Sequence, residues 1–198
     1  MKKVLTSCLG LLLFATACET NNDLNNCDYD ESLLLVNYAD NIIIPRFNDL
    51  HLGLTLLEES INAFATAPTI DLLNEIKVTF GATYLSYQRC SEFAFGPALI
   101  DGVPFRERFN TFPTNTSGIE SNIVLGTEVT NCPKSTVGFP ALEYLIFGDG
   151  TQTDQQVYEL FTTGVNASDR LAYLQGLGSE LKATTTQITQ GWEGYRDV

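Results

Sequence analysis

The sequence predicts an all-α protein, a helical bundle that combines three long helices with shorter ones and a loop-rich insertion. Apolar residues recur at spacings of three and four residues, which is the pattern of one buried helix face. The clearest example is Phe47, Leu50, Leu54, Leu57, Ile61 and Phe64. Thr153 is followed three residues later by Gln156, a capping-box pattern that opens a helix. No segment alternates apolar and polar residues as a half-buried strand does.

The N-terminus predicts an export signal. Lys2 and Lys3 precede a short apolar run at residues 9–17, the arrangement of a secretory signal peptide. This run is too short to span a bilayer, which takes about 20 residues in a helix. The small residues before Cys18 resemble a bacterial lipobox, in which the cysteine carries the lipid. We therefore predict a lipoprotein signal peptide over residues 1–17 and lipid on Cys18, with an ordinary signal peptide cut at the same place as the alternative.

The segment after the signal peptide is predicted to be a tether. Residues 18–31 are mostly polar and acidic, so they have little apolar surface to bury. They would connect the membrane to a domain covering residues 32–198. The predicted location is the cell envelope of a Gram-negative bacterium, with a lipid anchor at the outer membrane or in the periplasm.

The charge of the chain argues against several classes of partner. It has 24 acidic and 11 basic residues, a net charge of −13, and removal of Lys2 and Lys3 leaves −15. Such a surface repels phosphate backbones, and no cluster of lysine and arginine compensates, so nucleic acid is not an expected partner. No glycine-rich phosphate-binding motif occurs.

The number and spacing of the histidines and cysteines argue against further classes of site. His51 is the single histidine, which excludes sites that need two imidazoles, such as the HExxH zinc site. The five cysteines form no CxxC pair, which argues against zinc ribbons and thioredoxin-type centres. Beyond Cys18, the mature chain keeps Cys27, Cys90 and Cys132; one disulfide in any of three pairings and three free thiols are both open.

The first half of the domain is predicted to hold two long helices. The first runs from about residue 32 to residue 66 with a kink at Pro45, because proline removes a backbone hydrogen bond. Its apolar face extends backwards through Ile42, Ala39 and Leu35. The second begins after Thr69, a helix N-cap. Its apolar face consists of Leu73, Ile76, Phe80, Tyr84 and Tyr87.

The second half begins with the loop-rich insertion. Residues 97–136 are rich in Gly, Pro, Thr, Ser and Asn, with helical turns expected near 98–102 and 119–125. A short apolar helix follows at about 139–147, and the capping box opens another to about residue 163. Ser168 is predicted to cap the last helix. Its apolar face consists of Leu174, Leu177, Leu181, Ile188, Trp192 and Tyr195.

Few side chains suggest chemistry. His51 falls at the flank of the first helix, one position after Leu50, and a boundary position is the simple interpretation. Arg106 and Arg108 are the close basic pair of the insertion, where local pairing with acidic residues is expected. Glu143 differs, because it interrupts an otherwise apolar run: it is either at an exposed position, which is the simpler interpretation, or buried for a functional reason.

The same run resembles a family signature. Residues 138–148 are similar to the signature segment of the imelysin family, also called peptidase M75, whose hallmark is G-x-H-x-x-E. Here the hallmark positions hold Gly138, Pro140 and Glu143. Other segments resemble the family in the family's own order and cover nearly the whole mature chain: 37–45, 84–88 with 93–96, 112–115 with 119–122, and 192–197. The resemblance is strongest to lipoproteins of the Bacteroidetes type.

The resemblance implies an exported, often lipid-anchored protein of two helical bundles, with a site between them and a link to iron or haem acquisition. It also implies iron or another divalent metal as the ligand. Pro140 replaces the hallmark histidine, so Glu143 is the one motif side chain that could serve as metal ligand or catalytic group. Family members continue well beyond this length, so the chain is expected to be the N-terminal half, either truncated or stand-alone, with a second half or a protein partner beside it.

Three functions follow from these observations. The first is a non-catalytic surface lipoprotein that binds or delivers iron, haem or a related ligand, since hard cations favour carboxylates over imidazole. The second is a metallopeptidase of the M75 type, for which the lost histidine leaves too few ligands. The third is a degenerate or truncated family member that serves as an interaction domain, which an exposed apolar patch would favour.

Overall fold

The computed structural model describes residues 31–195. The predicted signal peptide, the predicted lipid attachment site Cys18 and almost all of the predicted tether lie outside the described residues. Of the described residues, 35–195 belong to one compact unit. Within residues 31–195, no helix is both long and apolar enough to cross a membrane.

The first predicted helix is present as three consecutive pieces. They are α1 at Glu31–Tyr38, a π-helical turn at Ala39–Ile43, and α2 at Ile44–Thr66. Pro45 lies in the first turn of α2, where its missing N–H removes no hydrogen bond from the α2 ladder. The interruption in this long helix is therefore the wide π turn directly before the proline.

The π turn also corrects the predicted apolar face upstream of Phe47. Ile43 is buried, with 3% of its surface exposed, whereas the predicted Ile42 and Leu35 are 37% and 69% exposed. The extra residue in a π turn shifts the side chains before it by one position around the helix. From Phe47 onward the predicted face is confirmed, because all six residues of the 47–64 pattern are fully buried.

The second predicted helix is α3, at Ile70–Cys90. The Thr69 hydroxyl accepts a hydrogen bond from the Leu72 backbone N–H at 3.2 Å, so the predicted N-cap is confirmed. After a short turn α3 packs back along α2, and the Thr83 hydroxyl donates to the Gly53 carbonyl oxygen at 3.0 Å across the pair. Of the predicted face, Tyr84 is half-buried and the other four residues are buried.

The insertion is built of short elements. In order they are a 3-10 turn Gly96–Ala98, β1 Leu99–Ile100, β2 Val103–Pro104, α4 Arg106–Phe109, α5 Thr116–Leu125, and 3-10 turns Val129–Asn131 and Lys134–Thr136. The predicted helical turn near 119–125 is confirmed as part of α5. The helical turn predicted near 98–102 lies earlier, at Gly96–Ala98, because β1 and β2 form an antiparallel hairpin over residues 99–104. Asp101 and Gly102, with φ of 52° and 78°, make its two-residue turn, which left-handed geometry suits.

The last three helices are α6 at Gly138–Phe147, α7 at Asp154–Thr162 and α8 at Ala167–Tyr195. The capping box is confirmed, with Thr153 and Gln156 each bonded to the other's backbone. The predicted cap Ser168 is wrong by position, because α8 has already begun at Ala167. The buried part of the predicted α8 face is confirmed for Leu174, Leu177, Leu181, Ile188 and Trp192.

Helix α2 is the centre of the bundle, with α3 and α8 packed along it. Helix α8 runs antiparallel to α2: Gln175 donates to Asn62 at 2.8 Å near one end, and Lys182 donates to Glu58 at 2.6 Å further along. Four fully buried phenylalanines connect α2, the insertion and α6 through ring contacts: Phe47, Phe105, Phe109 and Phe139. Phe64 of α2 and Phe161 of α7 form another buried ring contact. Cys90 and Cys132 are buried free thiols.

Candidate functional site

Gly138, the first residue of the motif, is needed for backbone packing. It has a φ of 78°, and its Cα faces the backbone of α4. A Cβ at this position would collide with the Phe109 carbonyl oxygen and lie 2.5 Å from that of Arg108. Only glycine therefore allows α6 to begin so close to α4.

The other two motif positions carry little chemistry. Pro140 is the third residue of α6, where backbone N–H groups have no partner inside the helix. Glu143 is exposed, while Leu142 and Leu145 on either side are buried in the core. Within residues 31–195 the Glu143 side chain has no hydrogen bond or ion pair. The exposed interpretation of Glu143 is confirmed.

The residue after Glu143 joins a network that the sequence did not suggest. The Tyr144 hydroxyl donates to Glu120 of α5 at 2.8 Å, and Glu120 also pairs with Arg170 of α8. Arg170 is 7% exposed, and its guanidinium lies 5.9 Å from the centre of the Phe161 ring. Burial and the Glu120 carboxylate raise the pKa of Tyr144 to about 12, so its hydroxyl remains a hydrogen-bond donor at neutral pH.

A second ion pair connects the insertion to α8. Arg108 donates through Nε to Glu180, through Nη1 to the Cys132 carbonyl at 3.2 Å, and through Nη2 to the Val129 carbonyl at 2.9 Å. Burial raises the pKa of Glu180, while hydrogen bonding and attraction to Arg108 act in the opposite direction. The expected local pairing is therefore wrong for Arg108, since its acidic partner is 72 residues away.

Arg108 and Glu180 line a groove of about 970 Å³. One face of α8 forms one wall, and the β-hairpin and the residues after α5 form the other. Glu143 is not among the lining residues. No sequence signal indicated the groove, because its walls come from segments that are distant along the chain.

The remaining candidates do not assemble into a metal or nucleophile site. His51 Nδ1 lies 3.4 Å from the Thr186 hydroxyl at the contact of α2 with α8, so its predicted boundary position is confirmed. Across the described range 31–195, no three residues of the types His, Cys, Asp and Glu are placed to hold a metal ion. These residues alone do not fit a metal centre around Glu143.

A sequence comparison decides the family. The profile described as Imelysin, peptidase M75, matches residues 43–198, which is most of the chain. The chain belongs to the imelysin family. This confirms the resemblance carried by the motif of α6.

The imelysin chain is similar to one curated protein and to two solved structures. It is 25% identical over 207 residues to iron-regulated protein A of Synechococcus elongatus, covering 93% of this chain and 56% of the relative. A crystal structure described as an iron-regulated protein A precursor from Parabacteroides distasonis superimposes with a TM-score of 0.68 at 21% identity, over 81% of this chain and 44% of that one. The crystal structure of an imelysin-like protein from Psychrobacter arcticum superimposes with a TM-score of 0.65 at 18% identity, over 84% of this chain and 51% of that one.

These comparisons confirm the all-α, imelysin-like fold. The two solved structures are too distant in sequence to add more than the fold. The chain spans about half the length of the relatives it matches.

Proposed function

We propose that this imelysin chain is a lipid-anchored protein of the bacterial cell envelope that takes part in iron or haem acquisition without catalysis. The observation that carries the proposal is the packing of α6 together with the residues at its motif positions. Gly138 packs against α4 and the apolar residues of α6 lie in the core, while Pro140 stands where the hallmark has histidine. Glu143 is exposed, and no group of residues within 31–195 is placed to hold a metal with it. The name of the Synechococcus elongatus relative, iron-regulated protein A, supports the link to iron.

The chemistry of Glu143 supports a contact role over a catalytic one. A hydrolytic zinc centre needs about three protein ligands and an open position. The single histidine of the chain lies on α2 and contacts Thr186. Glu143 offers one carboxylate, a ligand type that hard cations accept, to a metal or ligand whose other contacts come from outside residues 31–195.

The iron role predicts a growth phenotype that depends on Glu143. In the native bacterium under iron limitation, deletion of the gene should slow growth, and the wild-type gene should restore it. Glu143→Ala should fail to restore growth because it removes the ligating oxygens. The matched control is Glu59→Ala, which removes an exposed carboxylate from α2. Growth rates with iron salts or haem as the iron source measure the effect.

Two results would contradict this function. Equal growth of the deletion and parent strains on every iron source would remove the iron role. Cleavage of a protein substrate that a chelator stops and Glu143→Ala abolishes would replace the non-catalytic role with the metallopeptidase one.

The lipid anchor has its own test. Cells fed radiolabelled palmitate should label the wild-type chain, and Cys18→Ala should lose the label and leave the membrane fraction. Cys27→Ala serves as the matched control, because Cys27 is another cysteine of the N-terminal segment. An unlabelled wild-type chain would favour an ordinary signal peptide, and a label that survives Cys18→Ala would place the lipid on another residue.

A second candidate is the interaction domain. Helices α2 and α3 pack together, and each exposes large apolar side chains: Leu52, Leu56, Val78 and Leu85. Exposed apolar side chains are frequent where proteins associate. The growth assay separates the two candidates: the interaction role predicts that Leu56→Glu combined with Val78→Glu fails to restore growth while Glu143→Ala restores it.

A further inference from the structure

The groove beside α8 is a shaped cavity that the iron role does not use. On the α8 side its surface is made of small residues at helical spacing, among them Ala172, Gly176, Ser179 and Ala183. Facing them are the apolar side chains of Ile100, Val103, Ile123 and Val129. A volume of about 970 Å³ and a largely apolar lining with a few polar groups are typical of a small-molecule site.

The walls of the groove are held in place before any ligand arrives. The hydrogen bonds from Arg108 fix the backbone at Val129, Thr130 and Cys132 to Glu180 on α8. Gly176 lets Val129 approach α8 closely, since a Cβ there would lie 2.8 Å from a Val129 methyl group. Because Arg108 is fully engaged by Glu180 and these carbonyls, it does not offer a free charge to an anion.

The charge that remains in the groove is negative. Arg108 is paired with Glu180, and Lys134 is paired with Glu107. Three other lining carboxylates, those of Asp101, Glu128 and Asp169, have no ion-pair partner within residues 31–195. They come from the hairpin turn, the segment after α5 and the first turn of α8, so they lie around the groove.

We propose that this groove binds an organic cation with an apolar body, such as a quaternary ammonium or a protonated amphipathic amine. The unpaired carboxylates attract the positive charge, and the small and apolar side chains accept the hydrocarbon part. A bare metal ion fits less well, because these carboxylates are not among any group placed to hold a metal. The proposal is independent of the iron role, since Glu143 does not line the groove.

Two probes of equal shape and opposite charge test the site. Tetraphenylphosphonium and tetraphenylborate are titrated into the purified full chain and followed by calorimetry. We expect saturable one-to-one binding of the cation and binding of the anion that is weaker by about tenfold or more. Equal affinities for the two probes, or no cation binding by a chain with a helical circular dichroism spectrum, would overturn the proposal.

Variants separate the groove from the acidic surface in general. The triple variant Asp101→Asn, Glu128→Gln and Asp169→Asn should lower cation affinity by about tenfold. The matched control neutralises three exposed carboxylates outside the groove: Glu59→Gln, Glu75→Gln and Glu193→Gln. It should bind like the wild type; an equal loss in both triple variants would mean that only net charge matters and would overturn the site.

A filling variant tests the shape of the site. Ala183 is an exposed residue of the α8 wall, so Ala183→Trp should occupy the groove without disturbing the core. Loss of cation binding in this variant, with an unchanged circular dichroism spectrum and melting temperature, supports the assignment. Unchanged binding would place the cation elsewhere.

Discussion

Gly138→Ala should destabilise the imelysin domain by about 3–5 kcal/mol, a large share of the about 5–15 kcal/mol that holds a typical domain folded. Two costs add. The added Cβ would collide with the carbonyl oxygens of Arg108 and Phe109, which belong to backbone and cannot move aside alone. Alanine is also strained at a φ of 78°. Urea unfolding followed by circular dichroism measures the loss.

The control for this variant is another glycine to alanine change in a helix. Gly81 lies inside α3, and a Cβ there would meet nothing within 4 Å. Gly81→Ala should therefore stabilise the domain by about 0.5–1 kcal/mol, the gain in helix propensity. If both variants changed the free energy of unfolding equally, the explanation of the motif glycine by packing against α4 would be wrong.

Arg108→Met should lower the free energy of unfolding by about 2–4 kcal/mol. Removing one partner of a buried ion pair leaves the other charge without compensation, and here three carbonyl oxygens also lose a donor. The cost falls below that of a fully buried pair because the Arg108 side chain is 30% exposed, against 12% for Glu180. The matched control is Lys134→Met, which breaks the exposed pair with Glu107 and should cost less than about 1 kcal/mol.

The loss of stability caused by Arg108→Met should depend on pH. Burial already raises the pKa of Glu180 above its ordinary value of 4.5, and the variant removes the interactions that lower it. A carboxyl whose pKa is raised in the folded state stabilises that state below the ordinary value, and this contribution is lost as the pH rises through the raised pKa. Arg108→Met should therefore lower the free energy of unfolding more at pH 7 than at pH 4. Urea unfolding at both pH values measures the difference.

A double variant identifies the source of the deficit. Glu180→Gln in the Arg108→Met background removes the unpaired charge, so it should recover much of the lost stability at pH 7 and flatten the pH dependence. If the double variant were as unstable as Arg108→Met at both pH values, the loss would come from the carbonyl hydrogen bonds or packing and not from the buried charge.

The helices of the fold were predictable because they depend on local patterns. The three- and four-residue spacings of the 47–64 pattern and the Thr69 and Thr153 caps each depend on residues within about one turn of helix. The β-hairpin was missed although its Asp-Gly turn is a recognised hairpin signal, since two-residue strands are too short to show alternation. The π turn was missed because an apolar pattern read at a constant period cannot register one extra residue.

The candidate sites were less predictable than the helices. The apolar run at 139–147 correctly predicted α6, and the simpler interpretation of Glu143, an exposed position, is confirmed. The ligand role that the family resemblance implies for Glu143 stays a prediction. The Tyr144 network and the Arg108–Glu180 pair join residues 24 to 72 positions apart, and no local pattern specifies which charges will meet. The groove is the space left between α8 and the insertion, so it exists only after the chain has packed.

The composition of α8 bears on the order of folding. This helix contains four glycines and four threonines, and each glycine costs about 1 kcal/mol relative to alanine, so α8 should not persist as an isolated peptide. Its hydrogen bonds reach residues of α2 that lie 113 to 135 positions earlier. During synthesis α2 therefore emerges long before α8, the helix that packs along it, and this part of the core can close only when α8 is complete. Until then the apolar face of α2 lacks its α8 partner, and exposed apolar surface on a nascent chain favours aggregation.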